Sequence, residues 1–219
     1  LKAVVDLGGA SKVDATITEK QAGDLIGAGL EFAGTDVITL DVDVGASAGG
    51  THLSTSLKDL QKLGVDAVAI GGAAGDAAVT SISLDLGADG ALSATGLPLF
   101  GVDANGDGKI TGAEDAALNV TLDLASAGQL HELAGFAGTA GVDLAAIGLD
   151  NVQLNLAGQT ELNALLGSPT LGGDIAAMRG EGLSLSTIDL QTTSAVHIND
   201  AQAGLLITDG LHFAGNDQI

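Results

Sequence analysis

Residues 103–114 carry the side chains whose types and spacing point most directly to chemistry. Oxygen-bearing side chains stand at positions 1, 3 and 5 of this stretch, glycine at position 6, an apolar residue at position 8 and glutamate at position 12. A hard dication such as calcium takes six to eight oxygen ligands, and a tight loop with this spacing wraps them around one point. We therefore predict a calcium site formed by Asp103, Asn105, Asp107, Lys109 (through its carbonyl), Thr111 and Glu114.

The flanks of this loop differ from those of a paired calcium sensor. Residues 97–101 do not have the pattern of an entering helix, while 113–118 are compatible with a short exiting one. Met178 is the only methionine, so a methionine-rich groove that opens on calcium binding is not expected. The pattern favours a single structural ion, with an acidic glycine-rich turn that binds no metal as the alternative.

A second set of polar residues recurs at one position of six predicted strands. If those strands align in register, their side chains stack about 4.8 Å apart, and like charges at that spacing repel unless they are solvated or bridged by cations. The set is either a hydrated sheet face or a weak additional calcium surface. Its members are Asp6, Asp41, Asp85, Asp123, Asn155 and Asp189.

Signatures of enzymes are weak in this sequence. Each of the four histidines, His52, His131, His197 and His212, stands alone, and surface positions explain them better than catalysis. The sequence contains no Gly-x-Ser-x-Gly elbow, phosphate-binding loop or His-Glu-x-x-His motif. We expect a protein that is not an enzyme, with a secreted hydrolase that carries a structural calcium as an alternative.

The elements around these residues alternate between strand and helix patterns. Apolar–polar alternation, typical of half-buried strands, recurs six times, at 4–7, 38–42, 82–86, 120–124, 152–156 and 187–190. Helix starts with capping-box spacing are predicted at Thr18/Gln21, Ser126/Gln129 and Asn199/Gln202, and two further helices at 57–63 and 160–166. The pattern predicts an α/β fold of strand–helix units of about 36 residues, paired in parallel and stacked into a solenoid-like or open layered sheet.

A longer repeat overlies these units. Gln21-Ala22-Gly23 returns as Gln202-Ala203-Gly204, and the stretch 29–34 returns at 210–215, with the same offset along the chain in both cases. We interpret residues 1–181 as one full long repeat and 182–219 as the start of the next, within a longer protein. Repetition on this scale builds length and avidity more often than it builds an active site.

Composition narrows the class of protein further. Hydrophobic residues make up 46% of the 219 residues, which excludes disorder, but aromatic residues make up only 2%, so the core must be aliphatic. The net charge of −21 argues against nucleic acid and anionic membranes as partners and favours cations. Cysteine is absent, so stability must come from packing, repetition or metal. No stretch has the length of apolar sequence that inserts into a membrane.

With these features the chain resembles a repeat module of the large RTX-like bacterial adhesins and biofilm proteins exported by type I secretion. The resemblance rests on the acidic, cysteine-free, Gly/Asp-rich composition, on the dockerin-type loop at 103–114, on the long repeats and on residues 50–60. It departs from that family in lacking the nonapeptide array and in having helices where extender domains are usually β-sandwiches.

This resemblance implies an extracellular protein at the bacterial cell surface, folded by external calcium. Its partners would be calcium, neighbouring repeats of the same chain, and cell-surface or matrix components. One alternative is a surface-layer or fibre protein that self-assembles through calcium. Another is a glycan-binding module, although the lack of Trp and Tyr argues against sugar stacking.

Overall fold

The structure, a computed structural model, describes residues 3–9, 11–42, 50–71, 81–103, 110, 118–139 and 141–219. Its helices are α1 (Glu19–Gly27), α2 (Leu57–Leu63), α3 (Ala127–Ala137), α4 (Gln159–Leu166), α5 (Leu171–Gly180) and α6 (Asp200–Asp209). Its strands are β1 (Ala3–Val5), β2 (Asp14–Thr18), β3 (Leu30–Phe32), β4 (Val37–Val42), β5 (Thr51–Leu53), β6 (Ala67–Ile70), β7 (Ser81–Asp85), β8 (Leu99–Val102), β9 (Asn119–Leu124), β10 (Asn151–Leu156), β11 (Ser184–Leu190) and β12 (His212–Phe213).

The chain divides into two compact units. The first comprises Leu1–Val120 with Ala146–Leu149, and the second comprises Thr121–Ala145 with Asp150–Ile219. In the first unit, β1 pairs with β3, β5 pairs with β7, and a four-stranded sheet has the order β2-β4-β6-β8. In the second unit, β9, β10, β11 and β12 pair in that order.

The strand pairs given above for each unit, all between described residues, are parallel, which confirms the predicted α/β class and the predicted parallel pairing. The six strands predicted from alternation are all present, within about three residues at each end. Their apolar residues are buried, as in β10, where Val152, Leu154 and Leu156 alternate with half-buried polar residues. The core that results is aliphatic, and Phe100 is its largest fully buried side chain.

Helix starts follow the sequence closely. Thr18 and Asn199 each form the predicted capping box, in which the cap side chain accepts from the third amide and the glutamine reaches back to the cap amide. At α3 the prediction is partly wrong. Ser126 accepts from the Gln129 amide, but the Gln129 side chain accepts from the Ala125 N–H at 2.6 Å instead of closing the box.

The two copies of the long sequence motif have the same local structure. The Ala33 N–H donates to the Val5 carbonyl at 2.9 Å, and the matching Ala214 N–H donates to Ile188 at 2.8 Å. In the first copy the Leu7 N–H donates to the Asp36 carboxylate at 3.1 Å. In the second, Leu190 donates to Asp217 at the same distance. The likeness therefore extends upstream of Ala15, although the first copy is slightly longer between Leu7 and Ala15.

Candidate functional site

Asp103, the first predicted calcium ligand, follows the carboxyl end of strand β8. Its N–H donates to the Ile70 carbonyl at 3.2 Å, which continues the pairing of β8 with β6, and the residue is 4% exposed. A ligand at the end of a buried strand is held in a fixed position, as a structural metal site requires.

The other predicted calcium ligands, Asn105, Asp107, Lys109, Thr111 and Glu114, lie outside the described residues. So does most of the predicted exiting helix. Residues 97–101, which lack a helical pattern, contain the start of β8. Elsewhere in the described ranges, no three His, Asp or Glu side chains come close enough together to hold a metal ion. The calcium site therefore stays a prediction that rests on its sequence and on the burial of Asp103.

The six polar strand residues do not form one column. Asp41 lies in β4 between Thr18 and Ala69, in the four-stranded sheet. Asp123 is opposite Gln153, and Asn155 is opposite Asp189, both in the second unit. Asp6 lies beyond β1 and accepts from the Gly8 and Gly9 amides, so it closes a turn.

The predicted column is broken because β1 and β4 lie in different sheets from β10 and β11, and because Asp123 in β9 is opposite Gln153 and not Asn155. The sequence period placed strands 38–42 and 82–86 as neighbours, but β4 pairs with β2 and β6, and β7 pairs with β5. A continuous row of stacked carboxylates that would attract several cations is therefore not present in this form. Of the six residues, Asn155 and Asp189 are a directly opposed pair, and the asparagine removes the like-charge repulsion there.

His52 groups with Ser83 and Asp85 on the β5–β7 pair. His52 and Ser83 are register partners, and the His52 Nδ1 atom lies 2.9 Å from Ser83 Oγ. The Asp85 carboxylate lies 3.7 Å from His52 Nε2. Serine and aspartate thus flank opposite ring nitrogens, as in a hydrolase triad. The histidine side chain is 49% exposed and the aspartate 66%, so water screens the charges that such chemistry uses.

A second histidine joins helices α3 and α5. His131 Nδ1 lies 3.0 Å from one Asp174 carboxylate oxygen and 3.3 Å from the other. Thr170 Oγ1 donates to the same carboxylate at 2.7 Å, and Asp174 is buried. The imidazole itself is 63% exposed. A buried carboxylate held by two partners at a helix crossing is well suited to fixing the two helices against each other.

His197 and His212 make fewer side-chain contacts. The His197 main chain is held by the Gln159 side chain, and His212 Nε2 lies 3.4 Å from Thr187 Oγ1. All four histidines are exposed, which confirms their predicted surface positions. His212 occupies in β12 the place that Glu31 occupies in β3, so this position accepts either residue.

A cleft of about 470 Å³ lies beside helix α2 in the first unit. Lys58 and Lys62 line it together with Glu31 and Asp89, so charges of both signs face its interior. Gln61 fixes the adjacent loop, because its side chain donates to the Ser93 and Thr95 carbonyls and accepts from the Ser93 N–H. With balanced charge and no aromatic residue among its lining, the cleft has no feature that selects one ligand class.

Sequence reasoning missed the grouping around His52 and the pair at His131. The residues of each group are far apart in the sequence, and only strand register or helix packing brings them together. One sequence signal could have found the first group. His52 and Ser83 lie about one strand–helix unit apart, in strands of the same type.

The sequence matches no protein-family model and no curated protein. None of the helices in the described ranges is long and apolar enough to cross a membrane. The features that bear on the class of this protein are therefore its repeats, the loop at 103–114 and its charge.

Proposed function

We propose that this chain is a calcium-stabilised structural repeat module of a large extracellular bacterial protein, an adhesin or a biofilm-matrix scaffold, without enzymatic activity. The observation that carries the proposal is the duplicated motif. Its two copies, with helices capped by Thr18 and by Asn199, form the same capped helix, the same left-handed glycine turn and the same aspartate-closed turn. A chain that builds one unit twice is suited to extension.

Strand register supports a solenoid-like arrangement of such units. Parallel partners come from successive strand–helix units, as when Asp14 in β2 is opposite Val37 in β4 and Leu154 in β10 is opposite Ile188 in β11. The sheet β2-β4-β6-β8 takes every second strand of the sequence, as expected when the chain winds in successive turns. Each turn then buries its apolar residues against the next, so one unit alone would leave its core exposed.

In this proposal, external calcium promotes folding of the module outside the cell. With a net charge of −21 the chain repels itself, and a bound dication lowers this repulsion locally. In the proposal, Asp103 anchors the ion at the end of β8, and the ligands from Asn105 to Glu114 close around it. The loop then leaves the end of β8 in a fixed geometry, which matters for a module that transmits force or spacing.

Isothermal titration with calcium tests the site itself. We expect one site in the natural chain and loss of that site in Glu114→Gln, which removes the bidentate carboxylate that closes the loop. Asp103→Ala should act similarly, while Asp89→Ala, an exposed acid outside the loop, is the matched control for lost charge. Equal calcium binding by all four proteins would move the site elsewhere.

A secreted hydrolase is the second candidate, favoured by one observation, the arrangement of Ser83, His52 and Asp85. Its exposure argues against it, since acyl transfer depends on donors held in a site that excludes water. Labelling with a serine-directed probe distinguishes a hydrolase from a structural module.

A further inference from the structure

Helices α1 and α6 are copies of one another, but their surroundings differ. In the first copy, α2 packs against α1 and against β3. In the second copy, α4 packs against α6. The two helices have similar sequences and the same capped start. A difference in exposure between matching residues therefore reflects a difference in the elements around them.

One face of α6 is exposed where its counterpart on α1 is covered. Ala22 is fully buried and its counterpart Ala203 is half-buried. Ile26 is half-buried, whereas its counterpart Ile207 is 80% exposed. Alanine and isoleucine four positions apart share one helix face. The apolar side chain of Ile207 therefore projects into water, whereas its counterpart lies on the helix that α2 contacts in the first copy.

The adjoining strand shows the same difference. Phe32 in β3 is buried, and Gly64, the left-handed residue that ends α2, lies against it, since a Cβ on Gly64 would stand 3.6 Å from the Phe32 Cβ. The matching Phe213 in β12 is only half-buried. We call the set of Ala203, Ile207 and Phe213 the α6 face.

Leu206, next to Ile207 on α6, differs in the reverse sense. It is 5% exposed, while its counterpart Leu25 is half-buried. The greater exposure at Ala203, Ile207 and Phe213 is therefore local and is not shared by every position of the second copy.

We propose that the α6 face is a docking surface for a further copy of the segment 39–71, whose α2-type helix covers Ala203, Ile207 and Phe213. The occupant follows from the first copy, in which α2 contacts both α1 and β3 and its residues Leu57, Leu60 and Leu63 are buried. This inference rests on the repeat part of the proposed function and is independent of calcium.

The test extends the chain after Ile219, the counterpart of Ile38, with a second copy of residues 39–71. The chain has no cysteine, so Ile207→Cys introduces a single thiol whose rate of maleimide labelling reports its exposure. Ile26→Cys, in the natural chain, sets the rate expected under an α2-type helix. We expect the Ile207→Cys thiol to react several-fold more slowly in the extended chain and to match the rate of Ile26→Cys.

Two controls make the result specific. In a matched extension, the added positions that copy Leu57 and Leu60 carry serine, and Ile207→Cys should stay fast there. Leu205→Cys, at the position of the exposed Asp24, should stay fast in every chain. Undiminished labelling of Ile207→Cys in the apolar extension, or equal protection by both extensions, would overturn the inference. Running the assay with calcium and with chelator separates its failure from a failure of the calcium site.

Discussion

Asp36 and Asp217 close the same turn of the duplicated motif with different numbers of partners. Asp217 accepts from the Leu190 and Ala214 amides, one on each carboxylate oxygen. Asp36 accepts from the Leu7 amide through Oδ2, and its buried Oδ1 has no hydrogen-bond partner among the described residues. Burial of an unpartnered carboxylate oxygen costs free energy. The negative charge of Asp36 therefore destabilises the fold, and the turn needs only the hydrogen-bond acceptor.

This difference predicts how two substitutions at Asp36 compare. Asp36→Ala removes the acceptor for Leu7 and should lower the free energy of unfolding by about 1–3 kcal/mol. Asp36→Asn keeps an acceptor and removes the charge, so we expect a change within about 1 kcal/mol of zero. Urea unfolding followed by circular dichroism measures both, and an asparagine variant as unstable as the alanine variant would contradict this account.

The group around His52 makes a prediction about chemistry. Because the His52 and Asp85 side chains are exposed, we expect no reaction of Ser83 with a fluorophosphonate probe, which modifies activated serines. Mass spectrometry of the treated protein shows whether any serine is labelled. Labelling at Ser83 that disappears in His52→Ala would instead establish a hydrolase centre.

At the scale of elements, the two capping boxes form a natural pair. Thr18→Ala and Asn199→Ala each remove the side chain that accepts from the third helix amide, and each should cost about 0.5–2 kcal/mol of stability. Chemical denaturation of the two single variants and of the double variant gives the values. We expect additive losses, since the caps share no partner; strong non-additivity would mean that the two copies are energetically coupled.

Two glycines with left-handed backbone conformations differ in how closely another residue approaches them. Gly141 has a φ of +87° with open space around it, and Gly148 has a φ of +90° with the Phe100 carbonyl 2.8 Å from a Cβ. Alanine at either position costs about 1–2 kcal/mol for the backbone alone. Gly148→Ala should cost clearly more, because the carbonyl oxygen cannot yield as a flexible side chain can. Equal thermal midpoints for the two variants would refute that close approach.

The elements that sequence predicted well are those whose signal is local. Alternation along β10 and the capping residues of α1 and α6 depend on a few adjacent residues, and they were confirmed. Six strands of two to five residues were missed, because pairing with a neighbour defines them: β2, β3, β5, β6, β8 and β12. Helix α5 was missed because Gly172 and Gly173 in its first turn are poor helix formers.

The candidate sites also differ in whether a local sequence pattern specifies them. The loop that begins at Asp103 is a local pattern, so sequence alone is enough to predict a calcium site there, and that site stays a prediction. The approach of Ser83 to His52 and that of Asp174 to His131 depend on register and helix crossing, which no local pattern specifies. The acidic column was conditional on all six strands aligning in register, and that condition is not met, because Asp41 pairs in another sheet and Asp123 is opposite Gln153.

At the scale of the whole molecule, charge opposes folding, and in the proposed function repetition and calcium offset it. With a net charge of −21, the compact chain is destabilised by repulsion that any salt screens and that a site-bound dication relieves more strongly. The specific and the general effects of cations must therefore be distinguished by matching ionic strength.

Thermal unfolding by circular dichroism, in millimolar calcium and then in excess chelator, tests the central claim most directly. Ionic strength is matched with sodium chloride, and magnesium serves as the control for divalent charge. We predict that the midpoint falls strongly, or that folded structure is lost, when calcium is removed, and that magnesium does not restore it. A midpoint unchanged by chelation would contradict a calcium-stabilised module and leave the packing of strand–helix units as the sole source of stability.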